Sequence, residues 1–204
     1  MRVDSSAAAI WSTFLDQYRD ATFGPWFRAG RVKLAPQDVS APLIEDLEAW
    51  TLGDPGNPAF TPPGKSPRSA ADVMRTAFTT AVRQLSSKLG PDPTRWQWGR
   101  IHQRQIRSLA LIKSLGFGPA PSRGDRFTPD AAPGNPSRAG PSERMVVDFG
   151  SQSLAIVPGG QSENPVGSWY DDRIPLWWEG RYQPMLDYQQ ARSAAGSVPW
   201  SLRP

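Results

Sequence analysis

"MVVDFGSQSLAIV", Met145 to Val157, is where the periodicity of the chain changes. Two apolar runs, Met145 to Phe149 and Ser153 to Val157, flank the polar joint "GSQ". That pattern predicts a β-hairpin closed by a tight turn. Upstream of it, apolar residues recur at helical spacing. A chain that holds both patterns is α+β, and two short strands are too few to complete a sheet.

Working back from the hairpin, residues 116–143 are rich in Gly, Pro and Ser and read as irregular. The clearest helix precedes them. Ser69 and Asp72 form a capping-box start, Val73, Ala77, Phe78, Ala81, Val82 and Leu85 make its apolar face, and Gly90 closes it. Residues 54–67, "DPGNPAFTPPGKSP", are turn chemistry without periodicity. A shorter helix is expected from Ser40, with Pro42 in its first turn, a stripe of Leu43, Leu47 and Trp50, and Gly53 as its stop. Residues 4–20 predict the first helix, capped by Asp4 or Ser5, with Ala7, Trp11, Phe14, Leu15 and Tyr18 on one face. "FGPWF" (Phe23 to Phe27) is expected to end it. Beyond the hairpin, "PLWWEGRYQPM" reads as an aromatic, proline-rich tail lying across a surface.

The chain has 204 residues, 38% of them hydrophobic, with nine tryptophans, which is enough for a sizeable core and unlike a disordered chain. Cysteine is absent, so disulfides, zinc-thiolate sites and thiol catalysis are excluded. The net charge is +4 and the pI about 9.8, but the arginines are scattered. The densest group, Arg100, Arg104 and Arg107, has helical spacing and reads as a solvated face, so no nucleic-acid partner is expected. No run approaches the roughly 18 apolar residues of a membrane span. "MRVDSS" opens the chain without the basic-then-apolar pattern of an export signal.

Candidate chemistry is sparse. His102, the single histidine, follows Trp96, Trp98 and Ile101 with no acidic residue at short helical spacing, and reads as a core histidine. Glu45 with Asp46 and Asp171 with Asp172 are adjacent pairs whose side chains diverge, so neither makes a two-carboxylate site. In "VPGGQSENPVGSWYDD" (Val157 to Asp172), the glycines lack the Gly-Lys-Ser/Thr ending of a phosphate loop, and Ser162 lacks the trailing glycine of a nucleophile elbow. The diglycine suits a tight turn or a close backbone approach.

Four stretches occur in order: "TRWQWGRIHQ" (Thr94 to Gln103), "SRGDRFTPDAA" (Ser122 to Ala132), "GPSERMVVDFG" (Gly140 to Gly150) and "VPGGQSENPVGSWYDD". Together with the tail "PLWWEGRYQPM" they resemble the C-terminal part of the penicillin acylase family, amidases of the N-terminal-nucleophile hydrolase class. Where that family typically has "SPHYDDQ", this chain has "GSWYDDR", with Trp169 in the histidine position and Arg173 in the glutamine position.

The resemblance implies one C-terminal segment over 1–204, with 1–93 mainly helical, 94–188 bearing the motifs and 189–204 a tail. It also implies part of a four-layer α-β-β-α fold, made as a precursor and exported to the periplasm or beyond. In such an enzyme a new N-terminal serine attacks an amide carbonyl and its own α-amino group is the base. Asparagine and backbone donors hold the oxyanion, and a structural calcium is common. The family's nucleophile, asparagine and calcium ligands precede the matched region. No catalytic, cofactor-binding or metal-ligating residue is therefore assigned to this chain. The expected partners are an upstream segment carrying the serine and a small acylated amide, whose acyl group in the family is aromatic, aliphatic, dicarboxylic or that of a homoserine lactone. Two other readings stand beside this one: a non-catalytic interaction protein of the same descent, and a ligand-binding module built on Trp177 and Trp178.

Overall fold

The structure, a computed structural model, describes residues 1–35, 41–108 and 111–193. It divides into two compact units, residues 2–101 and residues 102–204 with Met1. The first is helical; the second carries two small antiparallel sheets. The chain is thus α+β.

Helix α1 runs from Ser6 to Ala29, with the Ser5 hydroxyl accepting from the Ala8 N–H at 3.1 Å. It passes through Gly24 and Pro25, where the sequence predicted an end. An internal proline costs about 3 kcal/mol. Phe23 and Phe27, four residues apart, bracket it. Phe23 packs against Phe27 and Trp50, and the Trp26 indole donates to the Ala59 carbonyl at 2.9 Å. Fully burying such a side chain is worth about 1.5–3 kcal/mol; Phe23 is buried and Phe27 partly so, which together offset most of the cost of the proline.

The face of α1 also differs from the expected one. Tyr18 is buried, stacked between Phe14 and Phe60, but Trp11 is 55% exposed. Small residues, Ala8, Ala9 and Thr13, are buried in its place. They let the helix approach its neighbour closely, which a bulky indole would prevent.

Helix α2 spans Ala41–Gly53 and ends at the glycine foreseen; Ser40, where the helix was expected to begin, lies outside the described residues. Helix α3, Ala70–Leu89, has the full capping box between Ser69 and Asp72, and Gly90 follows it at φ 93°. Val73, Ala77, Ala81 and Leu85 are buried as the period requires, joined by Ala70. Phe78 is half exposed instead and meets Phe14 edge-on, because it stands one position off that stripe. Tyr18, Phe23, Leu47, Phe60, Ala70, Val73 and Ala77 form one core cluster. The end of the unit is pinned back to its start, since the Trp98 and Gly99 N–H groups donate to the Ser5 and Val3 carbonyls.

In the second unit β1, Gln103–Ile106, pairs antiparallel with β2, Phe117–Pro121. The expected solvated arginine face is therefore overturned: Arg104 lies in a strand, and alternation turns it inward. Residues 116–143 likewise hold a strand where none was foreseen. Strand β3, Arg144–Val146, pairs with β4, Leu154–Ile156, in the register Arg144↔Ile156, and β4 pairs with β5, Gln183–Pro184. The hairpin exists, but its turn is not tight, because the link takes in all of Val147 to Ser153. Asp148 shapes that link: its carboxylate accepts from the Gly150 and Ser151 N–H groups and the Ser151 hydroxyl, which holds the carboxyl below its ordinary pKa. The short helix α4, Ile174–Glu179, follows, then α5, Tyr188–Ser193.

Phe60 is fully buried and Leu52 is 79% exposed. Phe60→Ala is expected to destabilise the helical unit by about 3–5 kcal/mol in urea unfolding, and Leu52→Ser by less than about 0.5 kcal/mol. Equal effects would contradict the packing described.

Candidate functional site

The most heavily constrained chemistry lies in the second unit, around Trp177. Alternation along β1 buries Arg104, whose side chain is 2% exposed. A guanidinium cannot neutralise itself, so burial demands partners. Arg104 donates to the Asp130 carboxylate at 3.1 Å and to the Ala131 carbonyl at 3.0 Å. Arg144 reaches the same carboxylate from β3, at 3.4 Å, and its Nη2 donates to the Trp177 carbonyl. Both guanidiniums lie against the Trp177 ring, 4.7 and 5.0 Å from its centroid.

Each partner is held by its own loop. Asp130 closes a loop in which the Ala132 N–H donates to the Asp125 carbonyl and the Thr128 hydroxyl to the Asp130 carbonyl. Gly124, at φ 73°, permits that closure, because a Cβ there would come within 1.9 Å of the Asp130 carbonyl oxygen. The Trp177 indole N–H donates to the Pro141 carbonyl at 3.1 Å, and its ring lies where a Cβ on Gly140 would clash. Arg104 immediately follows "TRWQWGRIHQ"; Asp130 comes from "SRGDRFTPDAA", Arg144 from "GPSERMVVDFG", and Trp177 from "PLWWEGRYQPM". The motifs meet on one cluster.

Trp177 is 2% exposed and Trp178 half-buried, with the Trp178 indole donating to the Pro121 carbonyl. This corrects the expectation of a surface tail. It also takes away the main support of the ligand-binding reading built on these two tryptophans, since the buried, hydrogen-bonded Trp177 offers no platform.

The segment from Val157 to Asp172 is turn-rich. The Trp169 carbonyl accepts from the Gln161 and Ser162 N–H groups at 2.8 and 3.0 Å. Gly160 packs so closely on it that a Cβ would stand 1.8 Å from that oxygen, and Gly159 takes φ 111°. The Ser162 hydroxyl accepts from the Asn164 N–H, and the Asn164 side chain from the Val166 N–H. The Trp169 side chain is exposed, and the Arg173 N–H donates to the Gly159 carbonyl.

His102 is 4% exposed, and burial, reinforced by the Arg104 charge, lowers its pKa to about 4. Glu45, Asp46 and Asp171 are exposed, and Asp172 is half-buried. Among the described residues no three His, Asp or Glu side chains gather to hold a metal ion.

Residues 1–194 match the family model described as penicillin amidase. The chain belongs to the penicillin amidase family. It is 31% identical over 131 residues to an acyl-homoserine lactone acylase QuiP of Pseudomonas syringae pv. syringae, covering 58% of this chain and 16% of that protein. Over 194 residues it is 35% identical to a protein of the same description from Pseudomonas fluorescens, covering 87% of this chain and 23% of that one. A thermostable penicillin G acylase from Alcaligenes faecalis aligns at TM-score 0.42 and 20% identity, over 98% of this chain and 39% of its own. The chain thus spans less than a quarter of the length of these curated relatives.

Two outcomes follow from the buried groups. Asp130→Asn leaves two buried guanidiniums facing a neutral amide and is expected to cost about 3–5 kcal/mol in thermal or urea unfolding. His102 stays neutral in the folded protein down to about pH 4, whereas its ordinary value is 6.5. Between those values the unfolded chain binds the proton and the folded chain does not. The stability contributed by neutral His102 is thus complete above pH 6.5 and falls as pH drops toward 4, by on the order of 3 kcal/mol. Urea midpoints across that range, in the natural protein and in His102→Gln, check this. An unchanged slope in the variant would assign it to other groups.

Proposed function

We propose that this chain is the C-terminal part of an amidase that hydrolyses the amide bond of acylated small molecules, the serine nucleophile coming from a segment outside it. The observation that carries the reading is the family match over residues 1–194 in a chain that covers only 16% and 23% of two acylase relatives. The residues themselves agree with it. Ser162 caps a turn, and His102 is buried with its pKa near 4, so neither is poised as nucleophile or base at neutral pH. In the proposed mechanism the terminal serine Oγ attacks the amide carbonyl while its own α-amino group takes the proton. The ammonium so formed gives that proton to the leaving amine as the C–N bond breaks, and water then attacks the acyl-serine ester, passing a proton through the same amino group back to Oγ as the free acid departs. This chain contributes the frame: the Arg104–Asp130–Arg144 ion pairs fix the loops at residues 122–132 and 140–144 against Trp177. Acyl-homoserine lactones are the proposed substrate class, taken from the names of the relatives.

Release of homoserine lactone from an N-acyl-homoserine lactone, and of a chromophore from an acylated aromatic amine, tests this. The chain alone is expected to show no turnover above background, and co-production with the upstream portion to restore it. Turnover by the chain alone, or none from the co-produced pair once assembly is shown, overturns the proposal.

A further inference from the structure

Arg107 and Arg138 stand apart from the ion pairs around Asp130. Their backbones are fixed side by side: the Gln105 N–H donates to the Ser137 carbonyl at 2.8 Å, and the Ser137 N–H to the Gln103 carbonyl at 2.7 Å. The hydroxyl of Ser137, itself fully buried, donates to the Ala139 carbonyl at 2.9 Å. Arg138 is thereby held beside the strand that Arg107 directly follows. Both arginines are exposed, and among the described residues neither side chain makes an ion pair or a hydrogen bond.

The two line a cleft of about 320 Å³. Its third cation, Arg104, is already committed to Asp130, and no aspartate or glutamate is among the described residues that line it. Two guanidinium charges therefore remain uncompensated at the cleft and favour an anion there. The opposite walls are apolar: Ile106, Pro141 and Pro158 are half-buried and Trp177 is buried. Two of these residues are prolines, which have no N–H, so their backbone offers no donor to the several oxygens of a phosphate. A carboxylate asks for less, since one guanidinium meets it in a planar, two-point contact. The volume lies at the small end of the range for sites that take small molecules.

We propose that this cleft binds a small organic carboxylate with an apolar chain, its head group between Arg107 and Arg138 and its chain against Ile106, Pro141 and Pro158. Binding of this kind needs no turnover, so it stands or falls apart from the amidase reading.

The Nε–H resonances of Arg107 and Arg138, in the full chain labelled at arginine nitrogen and assigned with Arg107→Gln and Arg138→Gln, test this. Octanoate is expected to move both resonances and to saturate, while octanamide, of the same length but uncharged, moves neither. Acetate and inorganic phosphate, which carry charge without the chain, are expected to bind at least about tenfold more weakly than octanoate. Each substitution is at an exposed position and is expected to keep the urea midpoint. Each weakens octanoate binding about two- to fivefold, read on the arginine that remains. An equal response to octanamide reduces the cleft to an apolar surface and overturns the proposal. Acetate or phosphate binding as tightly as octanoate overturns the ligand class and leaves a site for any small anion. Absence of saturable movement with octanoate, or unchanged affinity in both variants, overturns the site itself.

Discussion

The second unit depends on one carboxylate. Asp130, on an irregular loop, lies between guanidiniums carried by the short strands β1 and β3, and both are pressed against the indole of Trp177 on the short helix α4. Sheets of two and three short strands cannot bury enough apolar surface to fix long irregular connections. Charge-assisted hydrogen bonds in a desolvated setting supply direction where the apolar core is small. Remove the carboxylate, and the arginines become the most expensive groups in the unit.

The helical unit is held differently. There the constraint is close approach: Ala8, Ala9 and Thr13 on α1, and Ala77 and Ala81 on α3, are buried small residues, with Phe60, Leu47 and Tyr18 filling the space around them. Packing of this kind tolerates a proline within α1 because the aromatic contacts on either side outweigh one lost hydrogen bond. The two units illustrate two routes to a defined structure, one through shape and one through charge.

Much of this was legible in the residues. The capping box at Ser69, the Gly53 and Gly90 stops and the period of α3 follow from local chemistry, and local chemistry prevailed there. Where long-range contacts prevailed, local reading failed. Pro25 is a helix breaker in isolation, but not with Phe23 and Phe27 packed beside it. Arg100, Arg104 and Arg107 fit a helical face as well as a strand, and only the pairing with β2 and the distant Asp130 bury Arg104. A signal was present all the same, since "SRGDRFTPDAA" and "GPSERMVVDFG" place charges inside otherwise recognisable motifs. What their spacing withheld was that two of those charges, Asp130 and Arg144, meet each other and Arg104. The burial of Trp177 escapes local reading for a related reason, because it depends on Gly140 and Pro141, thirty-odd residues away.

The contact between Gly160 and Trp169 separates two kinds of constraint within one loop. What the loop needs at position 169 is a carbonyl oxygen, which any amino acid supplies, and what it needs at 160 is the absence of a side chain, which glycine alone supplies. The tryptophan standing where the family has histidine is therefore free of the folding problem altogether. A library of substitutions at 169 would sample surface chemistry on an unchanged backbone, while a single methyl group at 160 would dismantle the turn that displays it.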